Sequence, residues 1–370
     1  MGRISCPLVL ALVLSLFQLG GCADDEGPGA TAPESTPFEV AAQASAAHLA
    51  DRERTPGLIT AAELRAARDT YTIVDLRARE AYDAGHIPGA YHTSLTALLD
   101  DLATTIPSGL PCVLVSATGQ RAAYARLPLV LAGYPDVRVL EFGMSSWHPT
   151  LDRWSEGVGD ALADPEIANR NGELVEHAFP DLGEHDANDV LGERLRAVLA
   201  GGYPSVPYGE IAGDLGAWFV INYFEQRDYE ATGVGGSPGH VPGAYQFTPH
   251  ASLGPEQMLA NVPPDRPVVV YGWTGQHAAQ AVAHLNLLGY EAYNLHFGAN
   301  ALFHGRLLEH VWDPAEAASF ELETIAGATP VFDALAREAA AYLLDPDRCP
   351  GLITAPELRE RLEEVVVVDL

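Results

Sequence analysis

Residues 111–134 read PCVLVSATGQRAAYARLPLVLAGY, and residues 267–290 read PVVVYGWTGQHAAQAVAHLNLLGY. Each opens on a near-continuous apolar run, CVLVS (112–116) and PVVVYG (267–272), as expected of a central strand in a parallel sheet covered on both faces. Each then passes through Thr-Gly-Gln into a helical stretch, 121–134 and 277–290. A short strand-like run follows, VRVLEFG (137–143) and AYNLHFG (292–298), and another, TIVDL (72–76), precedes the first copy. Strand–helix–strand alternation implies right-handed βαβ units. The fold class is therefore α/β, each copy an open, mostly parallel sheet flanked by helices. The strand-to-helix turn at the carboxyl edge of such a sheet is where these folds seat a ligand.

The duplication extends beyond these stretches. GHIPGAY begins at Gly85 and GHVPGAY at Gly239; Gly133-Tyr134 is matched by Gly289-Tyr290. The offsets of 154 to 156 residues make this a domain-sized repeat, not a solenoid. PGLITAAELR from Pro56 returns as PGLITAPELR from Pro350, 294 residues later, or two periods of 147. Thr60 with Glu63, and Thr354 with Glu357, fit capping boxes opening short helices. Asp369-Leu370 maps onto Asp75-Leu76, so the third copy stops on its first core strand, and a third domain continuing past Leu370 is expected. The resulting division is a signal peptide (1–21), an acidic tether (22–37), a first domain (38–154), a linker with the amphipathic helix NDVLGERLRAVLA (155–205), a diverged second domain (206–320) and the start of a third repeat (325–370).

Composition excludes several classes. Of 370 residues 48% are apolar, enough for ordinary cores. Fifty acidic residues face 21 basic ones, all arginine, for a net charge of −29. Such a surface repels phosphate backbones, so nucleic acid is not an expected partner. Four cysteines cannot form a disulfide scaffold.

The chain opens MGRISCPLVLALVLSLFQLGGC, with a basic Arg3 and an apolar stretch from Pro7 to Phe17. That stretch is far shorter than the ~20 residues a spanning helix needs. It ends in Leu19-Gly20-Gly21-Cys22, which resembles the bacterial lipobox. The resemblance implies lipidation of Cys22, a membrane partner through the lipid anchor, and a mature protein in the cell envelope, facing the periplasm or exterior.

Asp75-Leu76-Arg77, Glu80, Tyr82 and Gly85-His86-Ile87-Pro88-Gly89-Ala90 together resemble the rhodanese (sulfurtransferase) domain signature. The first copy matches over about 56–150. The second, about 207–306, keeps Tyr229 and GHVPGA but has Asn222, Phe224 and Arg227 for the Asp, Arg and acidic positions. The resemblance implies tandem rhodanese-like domains. It also implies a six-residue loop that begins with cysteine, whose amides form an anion cradle and whose thiolate carries a persulfide.

Here the loops read Ser116-Ala117-Thr118-Gly119-Gln120-Arg121 and Gly272-Trp273-Thr274-Gly275-Gln276-His277. Ser116 and Gly272 stand where the resemblance places the cysteine. A serine hydroxyl is hardly ionised at neutral pH and glycine has no side chain, so no catalytic residue is assigned. Cys112, four residues upstream and roughly 13 Å away at ~3.3 Å per residue, reads as a buried core residue. Cys349 reads as a linker residue, and nothing favours a Cys112–Cys349 disulfide. The loop amides remain anion-cradle candidates in both copies, with Arg121 adding charge in the first; a cradle that merely caps the helix is the other reading, and the residues leave both open. His277, His284, His296, His304 and His310 show no ligand spacing and read as scattered surface groups, so neither metal nor cofactor is expected. His86 and His240 read as structural members of the GHxPGA turns. Trp273 reads as exposed, marking a candidate partner surface.

The expected function is a cell-envelope lipoprotein whose tandem rhodanese-like domains lack the catalytic cysteine and bind or scaffold, the partner being a small anion or an envelope protein. The alternative is a thiosulfate or persulfide sulfurtransferase whose active cysteine lies in a third domain.

Overall fold

The computed structural model describes residues 35–107, 109–162, 165–166, 173–183, 190–232 and 239–325. The signal sequence, Cys22, most of the tether, Cys349 and the third repeat from 326 onward lie outside the described residues. These fall into two compact units. One holds 35–78 and 86–323 and contains both sheets; the other comprises 79–85 with 324–325. In the smaller unit, helix α3 (Arg79–Ala84) carries an Arg79–Asp83 ion pair of 2.8 Å, and Ile325 N–H donates to the Asp83 carbonyl.

The first sheet is built from β1 (Leu58–Ile59), β2 (Thr72–Asp75), β3 (Tyr91–His92), β4 (Cys112–Val115) and β5 (Val137–Leu140), in the order β1-β5-β4-β2-β3. The second repeats it with β6 (Ser205–Val206), β7 (Phe219–Asn222), β8 (Tyr245–Gln246), β9 (Val268–Tyr271) and β10 (Ala292–Leu295), ordered β6-β10-β9-β7-β8. Every pairing is parallel. β2, β4, β7 and β9 are buried at every position, which explains their unbroken apolar runs. β4 and β9 lie in the middle of their sheets, so the loops that follow them emerge between neighbours at the carboxyl edge.

The remaining helices are α1 (Pro37–Ala50), α2 (Ala61–Ala66), α4 (Leu98–Thr104), α5 (Gln120–Leu131), α6 (Met144–Trp147), α7 (Val190–Ala200), α8 (Tyr208–Ile211), α9 (Gln226–Tyr229), α10 (Gln276–Leu287) and α11 (Ala299–Phe303). Thr60 caps α2 as the sequence implies: its hydroxyl accepts from Glu63 N–H at 3.2 Å, and Glu63 Oε2 accepts from Thr60 N–H at 2.9 Å. Such a box contributes about 1 kcal/mol. Thr36 and Pro37, read as the end of the tether, are instead the cap and first residue of α1, closed by the same reciprocal box with Glu39.

The two copies share a core. α5 packs on α10, with α1 and α7 against the pair, and one apolar cluster runs from Leu114 and Val139 through Leu127 and Leu285 to Val268 and Val270. Arg126, 2% exposed, crosses this seam. Its guanidinium donates to the carbonyls of Val137 and Arg54, to Gln280 Oε1 at 2.9 Å and to His48 Nε2 at 2.9 Å. Burial lowers the Arg126 pKa to about 10.

The seam corrects the reading of the helix histidines as surface groups. α10 is covered by α1 and α5, so His284 is fully buried and its Nδ1 lies 2.8 Å from Ser45 Oγ. His296 is half-buried against Ser205, and His304 contacts the Trp312 carbonyl. Burial lowers the His284 pKa to about 4. Among the described residues no group of His, Cys, Asp and Glu could hold a metal ion, and no helix is long and apolar enough to cross a membrane.

Each copy also sends a strap to the other. Beyond α6 the chain runs along α11, Gly159 N–H donating to Asn300 O and Leu162 N–H to Leu302 O, and ends in a two-bond antiparallel bridge between Glu166 and His240. Beyond α11 it returns, Ala318 N–H donating to Ser146 O and Phe320 N–H to Trp147 O, and ends in the equivalent bridge between Glu323 and His86. Glu166 Oε2 lies 3.2 Å from His240 Nε2, and Glu323 Oε2 accepts from Gly89 N–H at 2.9 Å. His86 and His240 are thus buried anchors of the two turns, 2% and 0% exposed.

Candidate functional site

In both copies the loop after the central strand is held by the next helix. Met144 N–H donates to the Ser116 carbonyl and Ser145 N–H to that of Ala117; Ala299 and Asn300 do the same for Gly272 and Trp273. Gly143 (φ 61°) and Gly298 (φ 55°) lie so close to these carbonyls that a Cβ would collide with Ser116 O and Gly272 O. The carbonyls being bound outward, the amides of Ala117, Thr118 and Gly119, and of Trp273, Thr274 and Gly275, find no acceptor among the described residues. These six amides are the groups an anion cradle would use in either copy.

The side-chain half is absent. Ser116 is 3% exposed, and its Oγ accepts from Ala122 N–H at 3.3 Å, capping α5. Among the described residues no histidine or carboxylate hydrogen-bonds to it, so no base is in place to activate it. Gly272 offers only backbone. Arg121 is exposed, and Nη1 donates to the Leu76 carbonyl at 3.3 Å, tying it to the end of β2. Cys112 opens β4, paired with Thr72 and Val137, and burial pushes its thiol up to about 12. It is a free, buried thiol remote from the loop.

The two loops are joined to each other. Gln120 Nε2 donates to the Thr274 carbonyl at 2.8 Å. Reciprocally, Gln276 Nε2 donates to the Leu140 carbonyl at 3.3 Å, and its Oε1 accepts from Phe142 N–H at 3.1 Å. Gly119 (φ 81°) and Gly275 (φ 72°) make this possible, since a Cβ on either would collide with the opposing glutamine. Both glutamines are buried, at 2% and 0% exposure. The sequence displayed them as a repeated Thr-Gly-Gln but gave no sign that each reaches into the other copy. Beside this latch sits an aromatic cluster: Trp154 meets Phe142, Phe297 and Trp312 at 5.1, 5.0 and 6.1 Å, and its Nε1 donates to the Thr118 carbonyl.

The copies differ beneath the loops. In the first, Asp75 and Arg77 form a buried bidentate pair, with Nη2–Oδ2 at 2.7 Å. In the second, Asn222 Nδ2 donates to the Tyr271 hydroxyl at 2.9 Å, and Phe224 stacks on Trp273 with centroids 4.2 Å apart. Trp273 is thus half-buried against its own domain, not the exposed partner-seeking ring its loop position suggested. His277 lies 5.1 Å from the Tyr223 ring and 4.8 Å from His250. Its Nε2 is buried and unpartnered, and burial first, then His250, lowers its pKa to about 3.

The rhodanese-like domain family model matches residues 60–150 and 224–303, the two segments that carry these sheets and loops. The chain carries two rhodanese-like domains in tandem. A thiosulfate sulfurtransferase from Pseudomonas aeruginosa is 19% identical, the match covering 77% of this chain and 50% of that one with a TM-score of 0.27, so the tandem spans half the length of that chain. A rhodanese-like domain protein from Staphylococcus aureus is 29% identical over 23% of this chain and 85% of its own, with a TM-score of 0.21. A rhodanese-related protein from Thermoplasma volcanium is 24% identical over 24% of this chain and 88% of its own, with a TM-score of 0.22. No curated protein matches the chain.

Proposed function

We propose that this is a lipid-anchored cell-envelope protein whose two rhodanese-like domains carry no persulfide and act as a binding module. One observation carries the non-catalytic reading: at the head of the two loops stand Ser116, spent on capping a helix, and Gly272. Sulfane transfer needs a thiolate there, because exchange at a sulfur–sulfur bond requires a soft nucleophile. The amides that remain suit a small anion, and the rigid pairing of the loops suits recognition more than turnover. The anchor rests on Leu19-Gly20-Gly21-Cys22 following a short apolar stretch.

Purified protein from Cys22 onward should show no thiosulfate:cyanide sulfur transfer above a no-protein control; clear turnover would overturn the reading. Metabolic labelling with palmitate should mark the wild type and not Cys22→Ala, and equal labelling of the two would remove the anchor.

A further inference from the structure

A cavity of about 1130 Å³ opens between α1 and the 250–257 loop of the second domain, at the carboxyl edge of the second sheet beyond β7. It lies outside both loops described above. Its walls are aromatic and aliphatic: Phe38 and Phe179 stack with centroids 4.4 Å apart, and Tyr223 and Leu253 close the inner side. Phe179 stays 37% exposed although it is a large apolar ring. The aromatic and aliphatic lining and the position at the sheet edge are those of a small-molecule site, and the volume is ample for one.

The charge of the lining selects the ligand. Among the described residues no arginine lines the cavity, whereas Glu39 and Glu256 do, both exposed; Arg52, beside His250, is paired with Glu225 at 3.8 Å. The one imidazole in the wall, His250, is held toward its neutral form by burial, and its Nδ1 contacts the Leu49 carbonyl. A rim of carboxylates around aromatic faces disfavours anions and attracts a cation whose body is apolar, through charge and through the ring quadrupoles.

We propose that this cavity binds a small organic cation with an apolar body, such as an alkyl- or arylammonium. No residue of the two degenerate loops lines the cavity, although its wall residues Tyr223 and His250 pack on His277 at the end of the second loop, so cation binding can be lost or kept whatever the loops do with sulfur.

The test titrates the purified mature protein with three aromatic fluorescent probes of similar size: cationic thioflavin T, neutral N-phenyl-1-naphthylamine and anionic 1-anilinonaphthalene-8-sulfonate. The cation should saturate at one probe per chain and bind about tenfold tighter than the sulfonate. Ala47→Trp, on an exposed face of α1 lining the cavity, should weaken cation binding about tenfold or more. Glu256→Gln should weaken it about threefold at low salt and have little effect at high salt. This exposed loop variant keeps the proposal testable if the tryptophan variant misfolds. Equal affinity for all three probes, preference for the sulfonate, or cation binding unmoved by both variants would overturn the proposal. So would a dimer, seen by sedimentation, that Ala47→Trp dissociates, since the groove would then belong to a second copy.

Discussion

The two rhodanese-like domains solve the same problem with different chemistry. Under the first loop, the buried Asp75–Arg77 pair braces the end of β2. Under the second, Asn222 turns to Tyr271, and the space of an arginine is filled by Phe224 lying flat on Trp273. The backbone bond survives in both: residue 77 N–H donates to Asp75 Oδ1 at 3.0 Å, and residue 224 N–H to Asn222 Oδ1 at 3.1 Å. The strand-end turn is therefore a backbone requirement, and the ion pair is one of two ways to fill the volume around it. That agrees with the general finding that buried ion pairs can be exchanged for well-packed apolar groups, provided both partners change together.

Breaking the comparison on one side only should cost most. Asp75→Asn leaves Arg77 buried without its carboxylate and should destabilise the protein by ~3–5 kcal/mol in urea unfolding. The second domain already carries asparagine at this position without an arginine to strand, so a loss below ~1 kcal/mol would show that the two environments are interchangeable.

Per pH unit a smaller effect should appear with acid, carried by two histidines of the second domain together with His48 of the first, whose pKa burial lowers to about 4. His277 and His284 occupy positions where the first domain has Arg121 and Pro128. Their folded pKa values lie at about 3 and about 4, below the ordinary 6.5. The unfolded chain therefore takes up protons below 6.5 that the folded chain refuses until about 4 or 3. Stability should be flat above 6.5 and fall below it, by up to ~1.4 kcal/mol per pH unit for the fully buried His284 and less for the half-buried His277. Urea midpoints across this window should show the slope, and His284→Leu should flatten it; an unchanged slope would place the acid sensitivity elsewhere.

The smallest difference should lie in the latch. Gln276 makes two bonds to the first domain and Gln120 one to the second. Gln276→Ala should cost ~1–2 kcal/mol and Gln120→Ala ~1 kcal/mol, with the double variant departing from additivity because the side chains share one seam. Strict additivity would mean the two bonds act independently.

What the sequence showed, and what it did not, follows from the range of the forces involved. Runs such as CVLV and VVVY declare central strands because burial on both faces is written in consecutive residues. Thr60 and Glu63 declare a cap because both partners lie within one turn. That Ser116 and Gly272 head equivalent loops was equally legible, since register with a repeated Thr-Gly-Gln suffices. The interior position of His284 was not, because its neighbour Ser45 is 239 residues away. α1 was missed for a related reason: half of its buried face is Ala41, Ala42 and Ser45, small residues that interrupt the apolar stripe of Phe38 and Leu49 until α10 is laid against them. Trp273 read as exposed because the substitution that accommodates it, Phe224, sits on another strand end.

The crossed straps carry a consequence for any attempt to divide the molecule. Glu166, which clasps the turn of the second domain, is encoded just after the first, and Glu323, which clasps the turn of the first, is encoded just after the second. A cut between the sheets hands each half the other's fastening. Excising either domain at its family boundaries would leave the survivor with an unbuttoned turn and half a seam, so the pair is to be expressed and engineered as a single piece.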